Sequence, residues 1–181
     1  KICIFTNTGQ LHLIKVLDLP AGRLKDKGTP IDNLSNYDSK KENYIYVTSL
    51  QNVSGCKVLF GTKQSMIKLV DGAEFVVAKK TTAATKLAEG DEVLAIRTLK
   101  GNETMVMRSG KEAFLRIECA TIPEKKKSAV GVRGMKLDKN DELKAIYVLG
   151  DGENETIEVK GKELSLNRLH IGNRDTKGVK R

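Results

Sequence analysis

The chain has 181 residues, enough for one domain with a hydrophobic core, and its 39% hydrophobic and 30% charged residues describe a globular chain. The absence of Trp and an aromatic content of 4% make that core aliphatic and disfavour a single-strand binder that stacks bases on aromatic rings. A net charge of +9 points to a polyanionic partner, either nucleic acid or an acidic membrane.

Taken in chain order, strand-like segments come in pairs. Ile2-Cys3-Ile4-Phe5 precedes Leu11-His12-Leu13-Ile14, and Lys57-Val58-Leu59-Phe60 precedes Met66-Ile67-Lys68-Leu69. Thr104-Met105-Val106-Met107 precedes Ala113–Ile117, and Thr156–Val159 precedes Leu164-Ser165-Leu166. The polar breaks are Asn7-Thr8-Gly9, Thr62-Lys63-Gln64, Ser109-Gly110-Lys111 and Lys160-Gly161-Lys162. Glycine in three of them supplies the positive φ of a tight hairpin, and Gln64 stands where glycine is expected in the second. The alternation of Glu158 out and Val159 in, with Leu164-Ser165-Leu166, fits half-buried antiparallel strands.

A second motif follows each hairpin. Leu87, Asp91-Glu92 and the strand Leu94–Arg97 recur fifty residues later as Leu137, Asp141-Glu142 and the strand Ala145–Leu149. An earlier copy runs from Gly28 through Leu34 and Glu42 to the strand Tyr44–Val47, and a fourth begins at Thr176. A period near fifty with three to four strands per unit predicts propeller-like blades, with repeats at 1–50, 51–99, 100–149 and an incomplete 150–181. The repeated Asp-Glu pairs, recurring at one blade position, are expected to serve turn and strand-start structure rather than acid–base chemistry.

The positive charge is segregated. Residues 20–28 carry a net +2 from Arg23, Lys25 and Lys27, and residues 76–86 carry +3 from Lys79, Lys80 and Lys86. Residues 123–136 carry +4 from Lys125, Lys126, Lys127, Arg133 and Lys136, and residues 167–181 carry +4 from a set including Arg168, Arg174 and Lys177. These four junctions hold thirteen net charges against +9 for the whole chain, which leaves −4 for everything else. Blades around a centre would line the junctions up as a basic rim able to follow duplex phosphates, spaced about 1.7 Å along the axis. No recognition helix or zinc finger is present, so sequence-tolerant backbone contact is the expected mode.

Cys3, Cys56 and Cys119 form neither a CxxC pair nor a Cys/His cluster, which fits a reducing cytosol and argues against a disulfide framework or a zinc site. No apolar run approaches the length of a membrane helix, and the basic loops lack apolar anchors, so no membrane partner is expected. The abrupt start at Lys1 and end at Arg181 read as a piece of a longer protein. His12 and His170 are expected as ordinary strand histidines, and the tyrosines as packing and surface residues. There is no P-loop.

Ile4-Phe5-Thr6-Asn7-Thr8-Gly9, Lys15–Pro20 and Lys27-Gly28-Thr29-Pro30-Ile31-Asp32-Asn33-Leu34 resemble one repeat of the C-terminal domain of bacterial DNA gyrase A subunits. Gly131-Val132-Arg133-Gly134-Met135-Lys136-Leu137 with Asp141-Glu142 resembles a later repeat, and topoisomerase IV A subunits share the pattern. The resemblance implies an all-β fold, the β-pinwheel, whose four-stranded blades exchange strands with their neighbours. It implies a non-catalytic fragment of a larger pinwheel, which binds and bends or wraps double-stranded DNA through its basic rim. Its implied partners are the ATPase B subunit of an A2B2 holoenzyme in the bacterial cytoplasm, together with the remainder of the A subunit. ATP and Mg, and the strand-cleaving tyrosine, would belong to other domains or subunits. The Thr-Asn-x-Gly and Lys-Gly-Thr-Pro-Ile motifs favour gyrase over topoisomerase IV, and the glycine-arginine box that marks gyrase is not in this chain. The alternative is a protein-binding propeller of kelch or WD-repeat type, whose Gly-Gly doublets and Trp-Asp pairs are missing.

Overall fold

Four hairpins organise the computed structural model, which describes residues 1–181. They are β1 (Ile2–Thr6) with β2 (Gln10–Ile14), later β4 (Lys57–Thr62) with β5 (Met66–Asp71), β8 (Thr104–Ser109) with β9 (Ala113–Glu118), and β13 (Thr156–Val159) with β14 (Lys162–Ser165). Each of the first three gains a strand on its first member: β3 (Tyr44–Ser49) on β1, β7 (Val93–Leu99) on β4, and β12 (Leu143–Leu149) on β8.

The fourth strand of each sheet comes from farther along the chain. It is β6 (Thr81–Ala83) on β2, β10 (Val132–Arg133) on β5, and β16 (Val179–Lys180) on β9, all antiparallel. Each donated strand lies in the junction that follows the next hairpin. Neighbouring sheets are therefore stitched together by exchange, as in a β-pinwheel. A short parallel pair, β11 (Met135–Lys136) with β15 (Thr176–Lys177), joins two successive junctions.

The apolar clusters lie between sheets. Phe5, Leu11, Phe60 and Phe75 fill the space between the first two, with Phe5 and Phe75 edge to face at 5.4 Å. Leu59, Ile67, Met105, Met107 and Met135 fill the next, and Val106, Phe114, Val159 and Leu166 the last. Val58 and Phe60 thus face one neighbour while Leu59 faces the other. Half-burial, expected from the alternation in the fourth hairpin, describes β13 and β14, which are exposed or half-buried at every position but Val159. The inner strands β4 and β8 are instead covered on both faces, which explains their unbroken apolar character. The outer face of the first sheet, at Ile4 and Ile14, is closed by Leu19, Tyr37 and the single turn α1 (Ile31–Leu34). A second short helix, α2 (Leu50–Ser54), follows β3.

The hairpin turns correct the sequence reading. The positive-φ residue of the second and third turns is Ser65 (65°) and Glu112 (59°), matching Gly9 (78°) in the first. Gln64 and Gly110 are not the left-handed positions. The penalty of about 1 kcal/mol for a non-glycine residue there is met by repeated turn bonding. The carbonyls of Thr6, Thr62 and Ser109 accept the amides of Gly9, Ser65 and Glu112. Their hydroxyls accept the amides of Gln10, Met66 and Ala113 at 3.0–3.3 Å. Ser65 also binds the exchanged segment, its hydroxyl accepting the Met135 amide at 2.8 Å and its carbonyl that of Gly134 at 2.7 Å.

The Asp-Glu pairs have the expected structural role. Asp91 Oδ1 accepts the amides of Gln64 and Glu92, and Asp141 Oδ1 those of Lys111 and Glu142, tying each turn to the start of the outer strand. In the first sheet this place is taken by Glu42, which accepts from the Thr8 hydroxyl at 3.0 Å and faces His12 Nε2 at 2.7 Å. His12 is a core histidine, and His170 is exposed.

Candidate nucleic-acid interface

The basic junctions occupy equivalent places after each hairpin, and backbone bonds connect three of them into a continuous band. The Lys86 amide donates to the Lys127 carbonyl at 3.1 Å, joining the second junction to the third. The Asp175 amide donates to the Gly134 carbonyl at 2.6 Å beside the β11–β15 pair, joining the third to the fourth.

At the second joint Arg133, Lys136 and Lys177 converge on a cleft of about 340 Å³ that also includes Gln64, Met135 and Leu137. Arg174 braces it, its guanidinium donating to the Arg133 carbonyl at 3.0 Å. Asp175 lies 3.5 Å from Arg133, and Asp138 lies 3.2 Å from Lys177 and 3.6 Å from Lys180. The Lys177 ammonium, bonded to Asp138 and seconded by Lys180, holds that carboxyl below the usual carboxylate range. Exposed pairs of this kind are weak, so a phosphate can compete for the same cations.

At the first joint Lys79, Lys80, Lys86, Lys125 and Lys126 are exposed, and Lys126 reaches Glu74 at 3.5 Å. Lys127 is half-buried. Its ammonium donates to the Glu74 carbonyl at 3.1 Å and the Thr82 hydroxyl at 3.5 Å, and its amide to Glu74 Oε2. It is engaged inside the joint rather than presented outward.

The remaining cations stand apart. Arg23, Lys25 and Lys27 lie in a stretch exposed from Pro20 to Pro30, where the Arg23 amide binds Asp26 Oδ2 at 2.7 Å. Arg168 is exposed after the fourth hairpin.

One cation was not singled out from the sequence. Lys68, in the centre of β5, is 1% exposed. Its ammonium donates to the carbonyls of Lys126 (3.1 Å), Lys127 (3.1 Å) and Ala129 (2.6 Å) and lies 5.7 Å from the centroid of the Phe60 ring. Burial disfavours the charged form and pushes its pKa down to about 8. The signal was a lone lysine inside the apolar run Met66-Ile67-Lys68-Leu69-Val70. In the third sheet, Arg116 on β9 does related work, donating to the carbonyls of Asn167 and Leu169.

The comparisons with known proteins agree with this architecture. The family model described as "DNA gyrase C-terminal domain, beta-propeller" matches residues 57–100 and 114–149. The match falls on the second and third repeats, over which the chain is similar to gyrase A C-terminal domains. Among curated relatives it is 25% identical to the DNA gyrase A protein of Lawsonia intracellularis, over 98% of this chain and 23% of that protein. It is 27% identical to the DNA gyrase A protein of Staphylococcus epidermidis, over 99% of this chain and 21% of that protein. The chain thus spans about a fifth to a quarter of these relatives' length. Its fold matches the C-terminal domain of a DNA topoisomerase IV with a TM-score of 0.88, at 21% identity over 98% of this chain and 57% of the other. A DNA gyrase A C-terminal domain matches with a TM-score of 0.74, at 19% identity over 98% of this chain and 58% of the other. No helix of the chain is long and apolar enough to cross a membrane.

Proposed function

We propose that residues 1–181 act as one DNA-binding unit of four repeats, the last incomplete, in the A subunit of a bacterial type IIA topoisomerase. In this reading the unit lacks catalytic residues of its own and works in the cytoplasm. It grips duplex phosphates with the basic junctions and bends the helix across successive blades. Strand passage, ATP and Mg belong to the rest of an A2B2 holoenzyme. The observation that carries the reading is the backbone linkage of the second, third and fourth junctions into one cationic band. Bending a few tens of base pairs costs about 1–6 kcal/mol, and a band of contacts, unlike an isolated patch, can offset that. Gyrase is favoured over topoisomerase IV by the Thr-Asn-x-Gly motif and by relatives named as gyrase A, although the TM-score is higher for a topoisomerase IV domain.

The test is closure of a nicked plasmid by ligase in the presence of the chain. Handed wrapping leaves a linking-number shift that grows with protein added, whereas planar bending leaves none and is read instead by faster ligase circularisation of a short duplex. Duplex binding with neither effect would leave a plain DNA clamp in its place.

A further inference from the structure

We propose that Lys68 is a positioning residue for DNA binding, a buried cation that holds the loop from Lys125 to Ala129 so that Lys125 and Lys126 project toward the phosphate backbone. The inference rests on the DNA-binding reading and extends it to a residue that DNA itself would not touch.

Removing an ammonium from water is costly unless its donors are satisfied. Lysine has three N–H donors, and here all three meet main-chain carbonyls of a single turn, closed by the Ala129 amide on the Lys126 carbonyl at 3.0 Å. Two further bonds fix the start of the loop: the Leu69 amide to the Pro123 carbonyl at 3.2 Å, and the Lys125 amide to the Leu69 carbonyl at 2.8 Å. Lys68 and Leu69 together therefore seat the loop on β5. The side chains of Lys125 and Lys126 remain exposed while their backbone is held. A cation inside is thus spent on orienting cations outside, and a loop ordered beforehand loses less entropy when it meets its ligand. At the same register in the first sheet stands His12, which faces the Thr81 hydroxyl of the donated strand at 3.0 Å. The interior position of the second hairpin strand thus contacts the next junction in both sheets.

The experiment compares wild type, Lys68→Met, the pair Lys125→Gln/Lys126→Gln, and all three changes combined. Methionine keeps the bulk and removes the donors, freeing three carbonyls that water can reach when the loop swings out. Amide hydrogen exchange should speed up in residues 125–131 of Lys68→Met and stay unchanged in the β8–β9 hairpin. Binding to a short duplex by fluorescence anisotropy should weaken about threefold to tenfold at low salt, with a shallower salt slope. Adding Lys125→Gln/Lys126→Gln to Lys68→Met should cost little more, because the displaced lysines no longer contribute. General destabilisation would not produce that non-additivity.

Unchanged loop exchange in Lys68→Met overturns the proposal, as does full additivity of the two sets of changes. A wild-type chain that ignores duplex DNA overturns the DNA reading itself, while the exchange data still report on the anchor. Should Lys68→Met fail to fold, wild type decides by NMR. A protected Lys68 ammonium coupled through hydrogen bonds to the carbonyls of Lys126, Lys127 and Ala129 supports the proposal, and a freely exchanging one contradicts it.

Discussion

The first and third junctions have similar sequence and opposite structural circumstances. Both are basic, and both carry a Gly-x-x motif at 28–30 and 131–133. The third is held by Lys68, Glu74 and Leu69 and donates β10 to the preceding sheet. Residues 20–30 of the first are exposed throughout, and only the later part of that junction, from α1 through Glu42, packs on β1 and β2. Charge content therefore says where a polyanion could bind, and tethering says which cations are already in place for it.

The glycines give the sharpest way to separate the two. A Cβ on Gly131 would sit 2.5 Å from the Ile67 carbonyl oxygen, because β10 runs close against β5, whereas one on Gly28 would meet nothing within 4 Å. Gly131→Ala should destabilise by about 2–3 kcal/mol, and Gly28→Ala should stay within about 0.5 kcal/mol, as read by urea unfolding. Equal effects would mean that the two glycines share one structural role.

Acid should loosen the first junction before the third. Burial pushes the Glu42 carboxyl up, but bonds from Thr6 and Thr8, the nearby His12 and the Asp38 amide together hold it below the usual carboxylate range. A carboxylate whose folded pKa is depressed contributes stability that is present above its unfolded pKa, about 4.3, and is lost as pH falls through the folded value. Below about pH 4.3, residues 37–43 should therefore lose protection from amide exchange relative to residues 125–131, where the Lys68 ammonium on three carbonyls remains beside the one carboxylate acceptor, Glu74. Glu42→Gln should flatten the acid dependence, and a melting curve that keeps its acid slope in that variant would contradict this.

The hairpins and outer strands were legible because their apolar runs are long and their turns polar. The donated strands were not legible residue by residue. Thr81–Ala83 and Val132–Arg133 are two or three residues with no apolar pattern, and their stability comes from a partner sheet distant in sequence. Only the family resemblance implied the exchange. Ser65 and Glu112 were missed because hydroxyl caps and contacts to the exchanged segment substitute for glycine. The charge pattern marked the junctions. It could not distinguish Lys126, which is presented, from Lys127, which is engaged inside, because that depends on Glu74 and Thr82 arriving from another part of the chain. Lys68 was hidden for the same reason, since a lysine in a strand becomes an anchor only when a loop 58 to 61 residues away closes over it.

The salt dependence of duplex binding tests the central claim most directly, since each phosphate contact adds about 0.9 to the slope of log K against log salt. The wild-type slope should be steeper than about −4. Arg133→Gln/Lys136→Gln/Lys177→Gln should make it shallower by about 2–3, and Arg23→Gln/Lys25→Gln/Lys27→Gln by less than about 1. A flat wild-type slope, or equal losses from the two triple variants, would contradict a preordered cationic band as the DNA-binding element.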